Sequence, residues 1–268
     1  MYFIFLVIVF AIGYSALFYF FVDLSKYFMF LWVPVSIILG ILTLVLYLFF
    51  YLLIASHTKP NGRHKHFLLR NATFIATTVF HIKLNAIGLE NVPKDETYIV
   101  YSNHKSNMDP IFIYNSLKTN NITAIGKDTL FKNFFMRLIC NTFSAIPINR
   151  TNDREAAKSI IKAIGMIKNG TSMIIFPEGG IKTRDVEEMV NLRAGAYKLA
   201  TKSGAKIIPC AIVGSSHIKS KRRIKRKNVT VIFFKPIDKE EYQNMNTTEI
   251  GLMVEEIINN GIKEYGQA

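Results

Sequence analysis

Cysteine is nearly absent from this chain: only Cys140 and Cys210 occur in 268 residues, far apart and among apolar neighbours. That excludes a disulfide framework and any cysteine-based metal spacing, and it suits two buried structural thiols. No G-x-S-x-G elbow occurs, so the usual strand-to-helix turn that presents a nucleophilic serine is missing. A serine hydrolase would have to use Ser102 or Ser106 beside His104. Acidic residues are scarce as well. Nineteen Asp and Glu face 33 Lys and Arg, leaving a formal net charge of +14. An excess of that size points to a polyanionic partner, either nucleic acid or an anionic membrane surface.

Charge of either sign is missing from most of the N-terminal part. "MYFIFLVIVFAIGYSALFYFFV" runs from Met1 to Val22 without a charge, and "FMFLWVPVSIILGILTLVLYLFFYLLIA" does the same from Phe28 to Ala55. Asp23 and Lys26 separate them. At 1.5 Å per residue, about 20 apolar residues cross a hydrocarbon core of about 30 Å, and both runs reach that length. Neither has a polar face, which argues against buried core helices. A cleaved signal peptide would show a basic n-region and a shorter apolar core. The expectation is a membrane-embedded helical hairpin over residues 1–56. Pro34 and the short linker leave open whether it spans or dips into one leaflet. Lys59, Arg63, Lys65 and Arg70 make the following flank basic, which marks the cytoplasmic side. The remainder, residues 67–268, is expected on the cytoplasmic face of the cell membrane, close to lipid headgroups.

That remainder alternates apolar strand-like runs with helical ones. "TYIVYSNH", "TSMIIFPEGG", "KIIPCAIVG" and "NVTVIFFKPI" read as strands. "PIFIYNSL", "FFMRLIC", "REAAKSIIKAIGMIKNG" and "AGAYKLATKSGA" read as helices, with Gly170 as a C-terminal cap. A last helix starts near Thr247, and Ile250, Met253, Val254, Ile257 and Ile258 form its core-facing stripe. Alternation of this kind predicts an α/β fold with a largely parallel sheet flanked by helices. Ligands in such sheets bind beyond the carboxyl ends of strands. "SNH" and "FPEGG" both lie at strand ends.

His104 and Asp109 stand five positions apart. On a helix that is a rotation of about 140°, and on a strand it means opposite faces, so they meet only if the chain turns between them. Asp109 followed by Pro110 reads as a helix start, with Asp at the N-cap and Pro at the first helical position. His104 then leaves a strand end. The same spacing also fits a plain cap beside a loop histidine.

"NHKSNMD" resembles the NHxxxxD motif of the glycerophospholipid acyltransferases, the family of bacterial 1-acyl-glycerol-3-phosphate acyltransferases. Further family-like blocks follow the family order: "KLNAIGLENVP" up to Pro93, "IGKDTLF" with "FSAIPINR" up to Arg150, "FPEGG" from Phe176 to Gly180, and "AKIIPCAIVG" around Pro209. The resemblance covers roughly residues 83–237. One block departs. The family's FPEGTRS is here "FPEGGIKTRD", so Gly180, Ile181 and Lys182 replace Thr, Arg and Ser, and Arg184 or Lys182 stands in for the missing Arg.

The resemblance implies transfer of an acyl group from acyl-CoA or acyl carrier protein to the free hydroxyl of lysophosphatidic acid, giving phosphatidic acid. Another acceptor, glycerol 3-phosphate or a different lysophospholipid, would use the same chemistry. It implies His104 as general base and Asp109 as its orienting carboxylate. No cofactor is implied beyond the thioester substrate, and no metal. Arg150 is the first choice for the acceptor phosphate; its plain alternative is a surface Arg before an amphipathic helix. Gly179 and Gly180 would let the backbone approach closely. Glu178 would orient cations or the glycerol, and Lys127 lies near the site or in solvent.

"KSKRRIKRK", from Lys219 to Lys227, carries seven cations, half of the +14. It reads as a dock for anionic lipid worth about 1 kcal/mol per residue, or for an acidic carrier, or as a solvated loop. Aromatic residues do not interleave with it, which argues against nucleic acid. A non-enzymatic, membrane-anchored binder of anionic lipid is the reading that would use this run alone.

Overall fold

The two charge-free runs form α1 (Tyr2–Phe21) and α2 (Met29–Ser56). The computed structural model describes residues 2–21, 29–58, 63–117, 121–190, 192–219 and 227–266. Most of the basic run, residues 220–226, lies outside the described residues, as do Asp23, Lys26 and Lys59. Both helices are long and apolar enough to cross a membrane. Only 6% of Phe3–Phe20 and 11% of Leu31–Ser56 is buried, so neither is a core helix. α2 continues through Pro34. The pair packs closely: a Cβ at Gly40 would sit 3.1 Å from the Val7 carbonyl oxygen. Tyr14 and Thr43 hydroxyls hydrogen-bond at 2.7 Å, pairing two polar groups within an apolar hairpin.

From Arg63 onward the basic flank forms α3 (Arg63–Val79), and the expected start of the α/β portion at residue 67 falls inside it. The first strand, β1, spans Ile82–Ile87. The order then runs β2 (Tyr98–Ser102), α4 (Asp109–Ser116), β3 (Ile122–Lys127), α5 (Phe134–Thr142), β4 (Ile146–Ile148), α6 (Asp153–Lys168) and β5 (Ser172–Ile175). It closes with α7 (Lys198–Ser203), β6 (Lys206–Val213), β7 (Lys227–Phe233), α8 (Lys239–Tyr242) and α9 (Thr247–Gly266). The strands make one seven-stranded sheet in the order β1-β7-β6-β2-β5-β3-β4. Every neighbouring pair is parallel except β6 with β7.

Successive side chains on a strand point to opposite faces, and both faces are covered. Tyr98 and Val100 of β2 pack under α4 with Phe112 and Ile113. Ile99 and Tyr101 pack on the other face, with Ala163 and Ile167 of α6 and the Ile250, Val254 and Ile258 stripe of α9. Each fully buried Val, Ile or Phe among them contributes about 1.5–3 kcal/mol. Met253 and Ile257 flank the stripe, partly buried. Cys210 is fully buried on β6, where burial pushes its thiol pKa up. Cys140 is a free, partly buried thiol on α5, also raised by burial. Neither is in a setting that activates a thiolate.

Candidate active site

β2 and β5 are parallel neighbours, so their carboxyl ends open on the same edge of the sheet. β2 delivers Asn103 and His104 there, and β5 delivers Phe176 to Gly179. Asn103 lengthens the pairing of β2 with β6. Its side-chain amide donates to the Ile212 carbonyl and accepts from the Ile212 N–H, both at 2.8 Å. The chain then turns sharply into α4.

Asp109 closes that turn, but not as a forward cap. It is the first residue of α4, with Met108 at the cap and Pro110 inside the first turn. Its carboxylate points back over the loop. Oδ2 accepts from the backbone N–H of Lys105 and of Ser106, both at 2.7 Å, and lies 3.0 Å from His104 Nδ1. A single oxygen therefore holds the turn and the imidazole together. Oδ1 is buried and takes no hydrogen bond among the described residues. A carboxylate only accepts, so Nδ1 carries the proton and the Nε2 lone pair remains available. The His104 side chain is 15% exposed, while that of Asp109 is fully buried. The imidazole stacks on the Phe176 ring, centroids 4.2 Å apart and planes 22° from parallel.

Glu178 is closed off from the cleft. It is fully buried; Oε1 accepts from the His104 N–H at 3.0 Å, and Oε2 pairs with Lys105 Nζ at 3.3 Å. Burial raises its carboxyl pKa, and the His104 N–H and the Lys105 ammonium pull it back down. Among the described residues the cation it pairs with is Lys105, whose own side chain is fully buried. Arg184 Nε donates to the Lys105 carbonyl at 3.1 Å, so that arginine braces the same loop. Lys182 is exposed, and Lys127 is exposed at the end of β3.

The turn after Pro177 carries arginine rather than open backbone. Gly179 and Gly180 have φ of +72° and +141°, in the region that favours glycine. A Cβ at Gly179 would stand 2.8 Å from Arg193 Cδ, and one at Gly180 would stand 3.1 Å from Arg150 Nη1. Both guanidiniums therefore lie against this turn. Burial lowers the Arg150 pKa and the neighbouring Arg193 charge lowers it further, while Asp128 opposes them. Two adjacent cations of this kind favour a bound anion.

Behind them is a cavity of about 610 Å³ at the carboxyl ends of β3, β4 and β5. Its floor is apolar, with Ile125, Ile148, Ile160 and Ile175. Arg150, Arg193, Lys198 and Lys202 line it against a single acid, Asp153. Phe176 lines it too, so one aromatic ring separates this space from the imidazole. Ser102 is fully buried and donates to the Asn103 carbonyl, and Ser106 Oγ accepts from the Met108 N–H. Among the described residues neither hydroxyl hydrogen-bonds the His104 ring, as a serine hydrolase would require.

Sequence reasoning missed Asn103, Lys105 and Arg193. An Arg absent from the FPEGG block, with another placed shortly before a Gly-containing helix start, was the signal available for Arg193.

A family model described as acyltransferase matches residues 83–213. The chain is 30% identical over 200 residues to a probable 1-acyl-sn-glycerol-3-phosphate acyltransferase of Mycoplasma pneumoniae, covering 69% of this chain and 73% of that protein. It is 31% identical over 189 residues to the 1-acyl-sn-glycerol-3-phosphate acyltransferase of Borreliella burgdorferi, covering 68% and 74%. The crystal structure of the 1-acyl-sn-glycerophosphate (LPA) acyltransferase PlsC from Thermotoga maritima matches with a TM-score of 0.67 over 83% of this chain and 90% of that one. Sequence identity in that match is 23%, so it shows a shared fold.

Proposed function

The chain belongs to the acyltransferase family, and from that membership we propose that it moves a fatty acyl group from a thioester to the free hydroxyl of lysophosphatidic acid. The observation that carries this reading is the 3.0 Å contact of His104 Nδ1 with Asp109, on a sheet edge shared with two guanidiniums. An alcohol is a poor nucleophile at neutral pH. His104 Nε2 takes its proton as the oxygen attacks the thioester carbonyl. The new C–O bond forms, the C–S bond breaks, and the departing sulfur takes the proton back from the imidazolium and leaves as the thiol. Asp109 favours that imidazolium and fixes the ring. The acceptor supplies its own oxygen, so no side-chain nucleophile and no resident cofactor enter the scheme.

Arg150 and Arg193 hold the acceptor phosphate, and the isoleucine-floored cavity accommodates an acyl chain. Residues 1–56 embed in the membrane and hold the α/β portion, from residue 67 onward, on the cytoplasmic face. The donor is acyl-CoA or acyl carrier protein.

An acceptor panel with the purified protein in detergent, read by mass spectrometry, tests the reading. Lysophosphatidate is expected to be acylated in preference to glycerol 3-phosphate and to lysolipids without a terminal phosphate. Preference for one of those others overturns the acceptor assignment, and no transfer from either thioester overturns the enzyme. Arg150→Ala and Arg193→Ala are each expected to raise KM for lysophosphatidate by about 10–100-fold, the equivalent of one charged hydrogen bond, with kcat nearly unchanged. An unaltered KM in both variants places the phosphate elsewhere.

A further inference from the structure

Beyond the hairpin, the α/β portion exposes an apolar face of its own. Leu130, Phe134, Phe135 and Met136 are each between 40% and 58% exposed. They lie on the 3-10 turn Asp128–Lys132 and the first turn of α5, whose later turns bury Leu138 and Thr142. We propose that this face is a second membrane-contacting element, inserted at the boundary between headgroups and acyl chains. The proposal rests on the reading of α1 and α2 as membrane-embedded.

The occupant follows from where the face sits. The Phe134 and Phe135 rings lie 6.3 and 6.2 Å from the ring of Phe49. Phe49 is seven positions before Ser56, the end of α2, so it lies about 10 Å back along that helix. α5 is therefore beside the apolar run and not past its end. Whatever medium surrounds the last two turns of α2, where Phe50 and Ile54 are also exposed, bathes the face of α5 as well. If the run lies in lipid, so does this face, at the depth of about 5–10 Å that interfacial helices reach.

Charge agrees with this placement. Lys127, Lys132 and Arg137 are exposed around the face, and the Arg137 guanidinium stands 5.7 Å over the Phe134 ring. Long cationic side chains at such a rim reach headgroup phosphates while their stems stay apolar. The acid in this stretch, Asp128, acts on Arg150. The turn also joins the end of β3 to α5, so lipid beside this face is one short turn from Arg150. A lysolipid entering here keeps its chain in the bilayer while its phosphate reaches the site.

The chain's single tryptophan, Trp32, sits in α2 and reports on the hairpin by itself. Phe135→Trp in a Trp32→Phe background reports on the face. Each full-length protein is reconstituted in phosphatidylglycerol–phosphatidylcholine vesicles carrying bromines at defined acyl-chain depths. Both indoles are expected to be quenched, the one at position 135 about twofold and most strongly by the shallowest bromines, as insertion near the interface requires. Quenching of Trp32 without quenching at position 135 overturns the proposal and leaves the hairpin reading standing. A blue-shifted but unquenched signal at position 135 also overturns it, because a protein surface would then cover the face. Quenching of neither overturns both. Phe135→Asp is further expected to slow acylation of vesicle-borne lysophosphatidate about tenfold, the loss of one buried phenyl group, and to leave the rate in micelles unchanged. An unchanged vesicle rate counts against the proposal.

Discussion

His104→Ala is expected to lower acyl transfer by about 10²–10⁴-fold, the usual contribution of a positioned general base, while the protein folds and binds membrane as before. The separation follows from the geometry. The loop around His104 is held by backbone groups: the His104 N–H on Glu178, the Lys105 and Ser106 N–H groups on Asp109, and the Lys105 carbonyl on Arg184. None of these needs the imidazole. Removing the ring leaves Asp109 with two of its three donors and leaves Phe176 without its stacking partner. That is a small loss for a fold whose sheet is covered on both faces. Turnover by mass spectrometry, set beside thermal unfolding and vesicle flotation, checks it. Turnover retained in a folded variant removes His104 from the mechanism. Transfer absent from the wild type as well as the variant, with vesicle binding intact in both, would favour the non-enzymatic lipid binder.

What the sequence made legible was local. "YSNH" and "FPEGG" each read as a strand end because the apolar run and its breaker are contiguous. Their adjacency depends on β2 pairing with β5 across more than seventy intervening residues, and no local pattern encodes that. β3 and β4 do not read as strands in the sequence. β3 ends in Gly126 and Lys127, and β4 is three residues long with Pro147 in its middle, so neither shows an alternation long enough to count. In sequence Asp109 reads as a helix cap, because Asp before Pro is a common helix start, and the resemblance adds the contact with His104. The direction of its carboxylate is decided instead by three donors behind it, which become visible only when the turn is closed. Arg193 lies between the blocks that carry the family resemblance and belongs to none of them. It matters because two glycines with positive φ let it lie against the turn beside Arg150. Glu178 reads in sequence as orienting cations or the glycerol, and the structure pairs it with a cation, Lys105. Its complete burial is matched by the equally buried Lys105 ammonium, which pairs with it.

Asp109→Asn and Asp109→Ala are expected to part company, and the difference isolates the charge from the turn. Oδ2 accepts three hydrogen bonds, two of them from backbone N–H groups in a buried loop. An asparagine fits the same space and can keep its carbonyl oxygen on those donors, so the turn persists. Its amide nitrogen then takes the place of Oδ1, a buried position without a hydrogen bond among the described residues, at a cost of about 1–3 kcal/mol for an unpartnered donor. The fold tolerates that, but a neutral amide stabilises the developing imidazolium far less than a carboxylate does. Transfer is expected to fall by about 10²–10⁴-fold, with only a modest drop in Tm. Alanine offers no acceptor at all. Two buried N–H groups lose their partner, at about 1–3 kcal/mol each, and Tm falls steeply along with the rate. Measuring kcat and Tm for both variants separates the two roles of this carboxylate. Full turnover in the asparagine variant would reduce Asp109 to a brace for the turn. The amide oxygen would still hold the imidazole in place, so its orientation, and not a neighbouring negative charge, would be what transfer requires of this position.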